Sequence, residues 1–149
     1  MKIRKTTIVS ISLIAVSFIL SLSLYLSMNY VNRRVFVFEG LDRNRLYVED
    51  RFYPNVKNVD KVELYVSELV LGPVGNRYKN LFRPGTKVVS CFARGKNLYV
   101  ELSKDALIPE KNTTEFSKAV KLLKKNVRRN FHGIKNVHLY IDGVAVGEI

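Results

Sequence analysis

With one cysteine in the chain, Cys91, an internal disulfide framework is excluded, so the fold has to be held by its own core. Histidine occurs twice, as His132 and His138. That leaves little material for a Cys/His or Ser/His/Asp catalytic set, and no metal-ligand spacing is present. Gly72, Gly75 and Gly85 match no phosphate-cradling pattern, and neither a repeat nor a long low-complexity linker interrupts the chain. Acidic residues are missing until Glu39.

What is present begins with an apolar run, Ile8 to Met28, of 21 residues without Gly, Pro or charge. As a helix it spans about 30 Å, the thickness of a bilayer's hydrocarbon. Its six serines lower the hydrophobicity, but each hydroxyl is able to return a hydrogen bond to the preceding turn. Lys2, Arg4 and Lys5 before the run and Arg33 and Arg34 after it favour a cytoplasmic N-terminus by the positive-inside rule. A signal peptide cleaved near Ser21 or Ser23 is the alternative, although Tyr25, Leu26 and Met28 carry the run past such a site. No Cys follows at which a lipid could be attached. The organisation expected is a cytoplasmic tail at 1–7, a transmembrane anchor at 8–28, a linker at 29–34 and one extracytoplasmic domain at 35–149.

Formal charge is +12, and removing the three N-terminal cations leaves +9 on the outer part. Acidic partners follow: anionic envelope polymers, lipid headgroups or an acidic protein surface, with plain solubility as the other explanation.

Val35 to Glu39 and Leu46 to Tyr53 read as strands around Gly40, Asp42 and Asn44, with Pro54 ending the second. Asn58 is placed to cap a helix carrying Val59, Val62, Val66, Leu69 and Val70, which stops at Gly72 and Pro73. Leu64 and Leu71 fall on its opposite side, as a second face buried within the domain or, as the alternative, a contact for another chain. Tyr78, Leu81 and Phe82 pin a loop over 74–85. Lys87 to Ala93 and Asn97 to Ser103 form a hairpin around Arg94, Gly95 and Lys96, with Leu98, Val100 and Leu102 facing inward beside a buried Cys91. Asn112 and Glu115 suggest a capping box for a second helix in which Phe116, Ala119, Val120, Leu123 and Val127 share one side. Its other side carries Lys118, Lys121, Lys124, Lys125, Arg128 and Arg129. His132, favoured by the helix dipole, and Gly133 close it, and Val137, Leu139 and Ile141 alternate with His138 and Tyr140 in a last strand ending at Asp142-Gly143.

The fold class is therefore α/β of the α+β kind: a small antiparallel or mixed sheet with two helices on one face, preceded by one transmembrane helix. The ELVLGP segment (Glu68 to Pro73), the NLYVELS arm (Asn97 to Ser103) and NVHLYIDG (Asn136 to Gly143) together resemble the GerMN domain, the sporulation and spore germination domain. The resemblance covers Val35 to Ile149. It implies a small module displayed outside a bacterial membrane and associated with envelope or spore assembly rather than with a known reaction. The chain departs from the family pattern in having a plain apolar anchor and one copy of the domain, which favours a general envelope role.

The reading is a non-catalytic, membrane-anchored interaction module without cofactors, contacting an anionic envelope component or an assembly partner; homo-oligomers stay open. The candidate binding face is the set Lys118, Lys121, Lys124, Lys125, Arg128 and Arg129. No nucleic acid is expected, but a domain on the cytoplasmic side would make exposed Tyr99 and Tyr140 near basic residues a nucleic-acid surface. A third reading is a glycan hydrolase using two carboxylates drawn from Glu39, Asp42, Glu49, Asp50, Glu101 and Asp105.

Overall fold

The computed structural model describes residues 5–27, 31–42, 45–54 and 60–147. The chain divides into two compact units, Met1–Asn32 with Phe52–Asn55, and Arg33–Arg51 with Val56–Ile149. The first is dominated by helix α1 (Lys5–Ser27). Within it Thr7–Ser27 is long and apolar enough to cross a membrane by length and composition, and its large side chains are bare. Ser12 Oγ donates to Val9 O at 2.9 Å, the back-bond that lets a hydroxyl ride in an apolar helix.

The second unit is α+β. Strands β1 (Val31–Glu39) and β2 (Leu46–Pro54), which begin and end in the first unit, form a two-stranded sheet. Helix α2 (Lys61–Leu71), strands β3 (Val88–Arg94) and β4 (Asn97–Leu102), a 3-10 turn (Lys104–Leu107), helix α3 (Phe116–Asn130) and strands β5 (Asn136–Ile141) and β6 (Val144–Ala145) follow. The four-stranded sheet has the order β3-β4-β5-β6, antiparallel except for the parallel pair β4-β5, whose crossover contains α3. Gly95, at φ 61°, makes the β3-β4 turn, and Asp142 and Gly143, at φ 50° and 78°, make the β5-β6 turn. The sheet is mixed, as the expected class allows.

Alternation sorts the strands cleanly. Leu98, Val100 and Leu102 of β4 and Val137, Leu139 and Ile141 of β5 are buried, and Cys91 lies opposite Val100 on the same side. Against that face pack Tyr65, Val66, Leu69 and Val70 of α2 and Ala119, Val120, Leu122, Leu123 and Val127 of α3. Leu81 and Phe82 are buried as expected, and Phe36 and Phe38 of β1 complete the core.

Polar side chains lock the elements together. The outer edge of β1 meets α3: Asn126 Oδ1 accepts from Val37 N at 2.7 Å while its Nδ2 donates to Val37 O at 2.9 Å. One turn on, Asn130 treats Val35 in the same way, at 3.0 and 2.7 Å. Two helical amides thus stand in for a neighbouring strand. Arg51 lies over the Phe36 ring at 4.5 Å and donates to Gly72 O at 2.6 Å and Glu68 O at 3.3 Å, holding the carbonyl end of α2. Gly72 sits at φ 108°, and a Cβ there would run into Asn80 Oδ1.

Several expectations are corrected. Asn58 and Val59 lie outside the described residues, and the cap of α2 is Asp60, whose carboxylate accepts from Val62 N at 2.7 Å. Leu71 is 75% exposed and Leu64 half-buried, because only one side of α2 meets the sheet. Asn112 does not cap α3. It takes a left-handed φ of 67°, since its carbonyl accepts from Asn80 N and Thr114 N donates to Asn80 O, drawing this stretch into a β-bridge so that the helix starts only at Phe116. At the far end Phe131 occupies the C-cap, its N–H on Val127 O, and His132 is exposed beyond it. Strand β1 starts at Val31, inside the expected linker.

Candidate binding faces

The amphipathic pattern of α3 places Lys121, Lys125, Arg128 and Arg129 in solvent. Lys124 is half-buried at the margin and lines, with Arg128, His138 and Tyr140, a small groove of about 140 Å³. Arg128 Nε donates to Lys135 O at 3.0 Å, which fixes its stem and leaves the charge outward. Lys118 is drawn off this face. Its Nζ lies 2.9 Å from Glu39 Oε1, which also receives Lys79 Nζ at 3.1 Å.

Glu39 is a buried carboxylate, 4% exposed at its side chain, shared by two ammonium groups. Burial pushes its pKa up, but the hydrogen bonds and charges of Lys118 and Lys79 outweigh that and hold it below the ordinary carboxylate value. A carboxylate held ionised between two lysines is a structural tie rather than a proton donor.

Four of the other five carboxylates weighed for glycan cleavage are also committed. Glu49 pairs with Arg51, Asp50 with Arg33, Asp105 accepts from Ser103 Oγ, and Glu101 accepts from Ser90 Oγ and Gly143 N. Asp42 lines an open groove of about 550 Å³ with Tyr47, Arg77 and Tyr78, and the paired Glu49 and Asp50 line another of about 600 Å³ with Arg77 and Tyr78. Cys91 faces the core and His138 the opposite side of the sheet, so they form no pair. Burial, with the charges of Glu63 and Asp60, raises the Cys91 thiol to about 12. Among the described residues no cluster of three or more His, Cys, Asp or Glu is placed to hold a metal ion.

A feature that composition alone conceals lies on the face of the four-stranded sheet away from the helices. In register across three strands stand Phe92, Tyr99 and His138. Their rings stack, Phe92 on Tyr99 with centroids 5.2 Å apart and Tyr99 on His138 at 5.0 Å, with planes within 18°. Beside the row, Asn136 Nδ2 donates to Asn97 Oδ1 at 2.9 Å. Counting outward from Gly95 pairs Phe92 with Tyr99, so this half of the row is readable from the hairpin sequence; its third member depends on the parallel β4-β5 register, which is not.

Comparison with known proteins places the fold. The Germane family, described as sporulation and spore germination, matches residues 30–147. The chain belongs to this family. An uncharacterized lipoprotein from Treponema pallidum (strain Nichols) is 36% identical over 80 residues, 54% of this chain, and the chain spans 60% of that relative's length. The first GerMN domain of the sporulation protein GerM from Bacillus subtilis superposes with a TM-score of 0.54 at 19% identity, over 75% of this chain and 85% of that one. The tandem GerMN domains of the same protein give 0.56 at 18% identity, over 77% and 41%. These structures share the Germane fold, and the expected GerMN resemblance stands on the family match. None of these relatives bears the name of an enzyme.

Proposed function

We propose that this Germane domain is a non-catalytic interaction module held at the outer face of a bacterial inner membrane by α1, and that the solvated cations of α3 receive an anionic envelope polymer or an acidic protein surface. The observation that carries this reading is the separation of roles on α3. Lys118 is consumed by Glu39 inside the fold, whereas Lys121, Lys125, Arg128 and Arg129 face solvent without any carboxylate within ion-pair distance among the described residues. Like charges one turn apart repel by a few tenths of a kcal/mol each, a strain that an acidic partner relieves. The family's sporulation and lipoprotein relatives support an envelope setting.

Two measurements test it. A C-terminal tag should be digested when protease is added to intact spheroplasts; protection until lysis refutes the topology. Replacing Lys121, Lys125 and Arg128 together by Gln should leave the thermal unfolding unchanged and lower the salt needed to elute the full chain from a heparin column. The parent's retention should fall steeply with salt, because exposed charges are screened beyond about 8–10 Å at physiological ionic strength. A triple variant retained, localised and crosslinked like the parent refutes the face.

A further inference from the structure

The end of the domain at which β1 enters gathers cations from the last turn of α3, from the link between α3 and β5, and from the β3-β4 turn. Arg34 donates to Asn130 O at 3.2 Å and lies over the Phe131 ring at 4.6 Å, so the entering strand meets the end of α3. There Arg128 Nε donates to Lys135 O at 3.0 Å, and Lys135 N donates to Lys96 O at 2.8 Å, which lays the link onto the β3-β4 turn. Arg94, Lys96, Arg128, Arg129 and Lys135 are exposed at this end. None of the five has a carboxylate within ion-pair distance among the described residues.

Helix polarity accounts for only part of this. Arg128 and Arg129 occupy the last turn of α3, where the carbonyl end favours cations, but Arg94, Lys96 and Lys135 stand on a turn and a link and have no such reason. At the opposite end, where β5 finishes and α3 begins, Lys104 pairs with Asp142 at 3.2 Å and Lys118 with Glu39 at 2.9 Å. Asp50 is taken by Arg33, and Asp60 caps α2. Chain length narrows what the unneutralised end faces. Residues 28–32 alone separate Ser27, the last residue of the membrane-length helix, from Arg33 of the domain. At about 3.6 Å per residue a fully extended chain keeps Arg33 within roughly 22 Å of the end of α1. A surface so close acts at an effective concentration of about millimolar or more, so even weak attraction to it is realised, an advantage that a soluble polyanion lacks. The surface that an inserted α1 supplies is a bilayer, and anionic phospholipids give its headgroup layer the sign these cations require.

We infer that this end of the domain docks on anionic phospholipid headgroups of the membrane that holds α1, with Arg94, Lys96, Arg128, Arg129 and Lys135 meeting the phosphates. The inference rests on the anchoring of α1 proposed above. It shares Arg128 and Arg129 with the α3 face but uses neither Lys121 nor Lys125, and it adds cations that lie off the helix.

The chain contains no tryptophan, so single fluorescent reporters test the docking. His132→Trp, exposed in the link after α3, reports on the docking end, and Lys111→Trp, exposed ahead of α3, on the opposite one. Each full-length reporter is reconstituted in phosphatidylcholine vesicles bearing a nitroxide quencher on some headgroups, with or without about 30% phosphatidylglycerol. Phosphatidylglycerol should raise the quenching of the His132→Trp reporter about twofold or more and leave that of Lys111→Trp unchanged. Each basic residue at an anionic surface is worth about fivefold in binding, so replacing Arg94, Lys96 and Lys135 together by Gln should weaken docking about a hundredfold and return quenching to the phosphatidylcholine level. Salt at about 0.5 M should do the same by screening. If the triple variant does not fold, Lys96→Glu alone, in the exposed turn, should still lower the quenching. Replacing Lys121 and Lys125 by Gln should leave it unchanged while reducing retention on heparin, so the two surfaces are read separately. Release of the chain by alkaline carbonate refutes the anchor and with it the tether. A chain that stays inserted but is quenched equally with and without phosphatidylglycerol, or equally at both reporters, or undiminished after the Arg94, Lys96 and Lys135 replacements, overturns the docking alone.

Discussion

Replacing Asn126 by Leu probes the joint between α3 and β1. Asn126 is fully buried, and its amide supplies both partners of Val37, the N–H at 2.7 Å and the carbonyl at 2.9 Å. Val37 is 2% exposed, so water cannot take over either role. A buried backbone group left without a partner costs about 1–3 kcal/mol, giving roughly 2–6 kcal/mol for the two. The incoming side chain is apolar and matches Asn in branching and heavy-atom count, though it is bulkier, and it returns about 1–2 kcal/mol of burial. Midpoint against midpoint, the net expectation is a loss of about 2–3 kcal/mol. Urea unfolding of the full chain in micelles, followed by circular dichroism, should show a lower midpoint at constant slope. Asn130→Ala, at the half-buried end where water reaches Val35, should cost about 1 kcal/mol. An Asn126→Leu protein within about 0.5 kcal/mol of the parent would refute the claim that these amides replace a strand.

The Glu39 carboxylate is held below its ordinary value in the folded state, so its stabilising contribution is present above the unfolded pKa and is lost as pH falls through the folded one. The stability gap between the parent and Glu39→Gln, measured by urea titration, should therefore close on acidification below the ordinary carboxylate range; a gap that widens there contradicts the assignment. With its thiol raised to about 12, Cys91 should resist iodoacetamide at pH 8 in the folded chain and react on unfolding, and Cys91→Ala should shift stability by no more than about 1–2 kcal/mol. Gly72→Ala, which meets both a left-handed φ and Asn80, should lower stability by about 2 kcal/mol or more in the same titration.

Local signals in the sequence carried the parts of the fold that are locally determined. Gly95 and the alternation of Leu98, Val100 and Leu102 identify the β3-β4 hairpin because turn chemistry and a period of two act within a few residues. The start of α3 departs from the capping pattern for a physical reason: Asn112 and Glu115 have capping spacing, but Asn80, far away in sequence, claims the backbone around Asn112. In the same way, six cations on one helix side look equivalent until Glu39 arrives from β1 and removes Lys118. Asn126 and Asn130 carried no warning, being polar residues whose partners lie 89 and 95 positions away. The α3 face was visible as periodicity; the ring row needed the parallel β4-β5 register, which only the assembled sheet supplies.

The amide joint on β1 also defines a path for mechanical load. β1 is the strand nearest α1 in the chain, so tension on a membrane-held anchor enters the domain along this strand. Past the exposed Arg33–Asp50 pair and the contact of Arg34 with Asn130 O, it meets the amide clamps of Asn130 on Val35 and Asn126 on Val37. Four hydrogen bonds lie side by side there, across the direction of pull, and α3 lies on their other end. Bonds loaded together in shear share the force, whereas bonds opened one at a time do not. A partner gripping the outside of α3 would thus pull against the anchor through this four-bond seam, leaving the sheet's ring-bearing face out of the line of force.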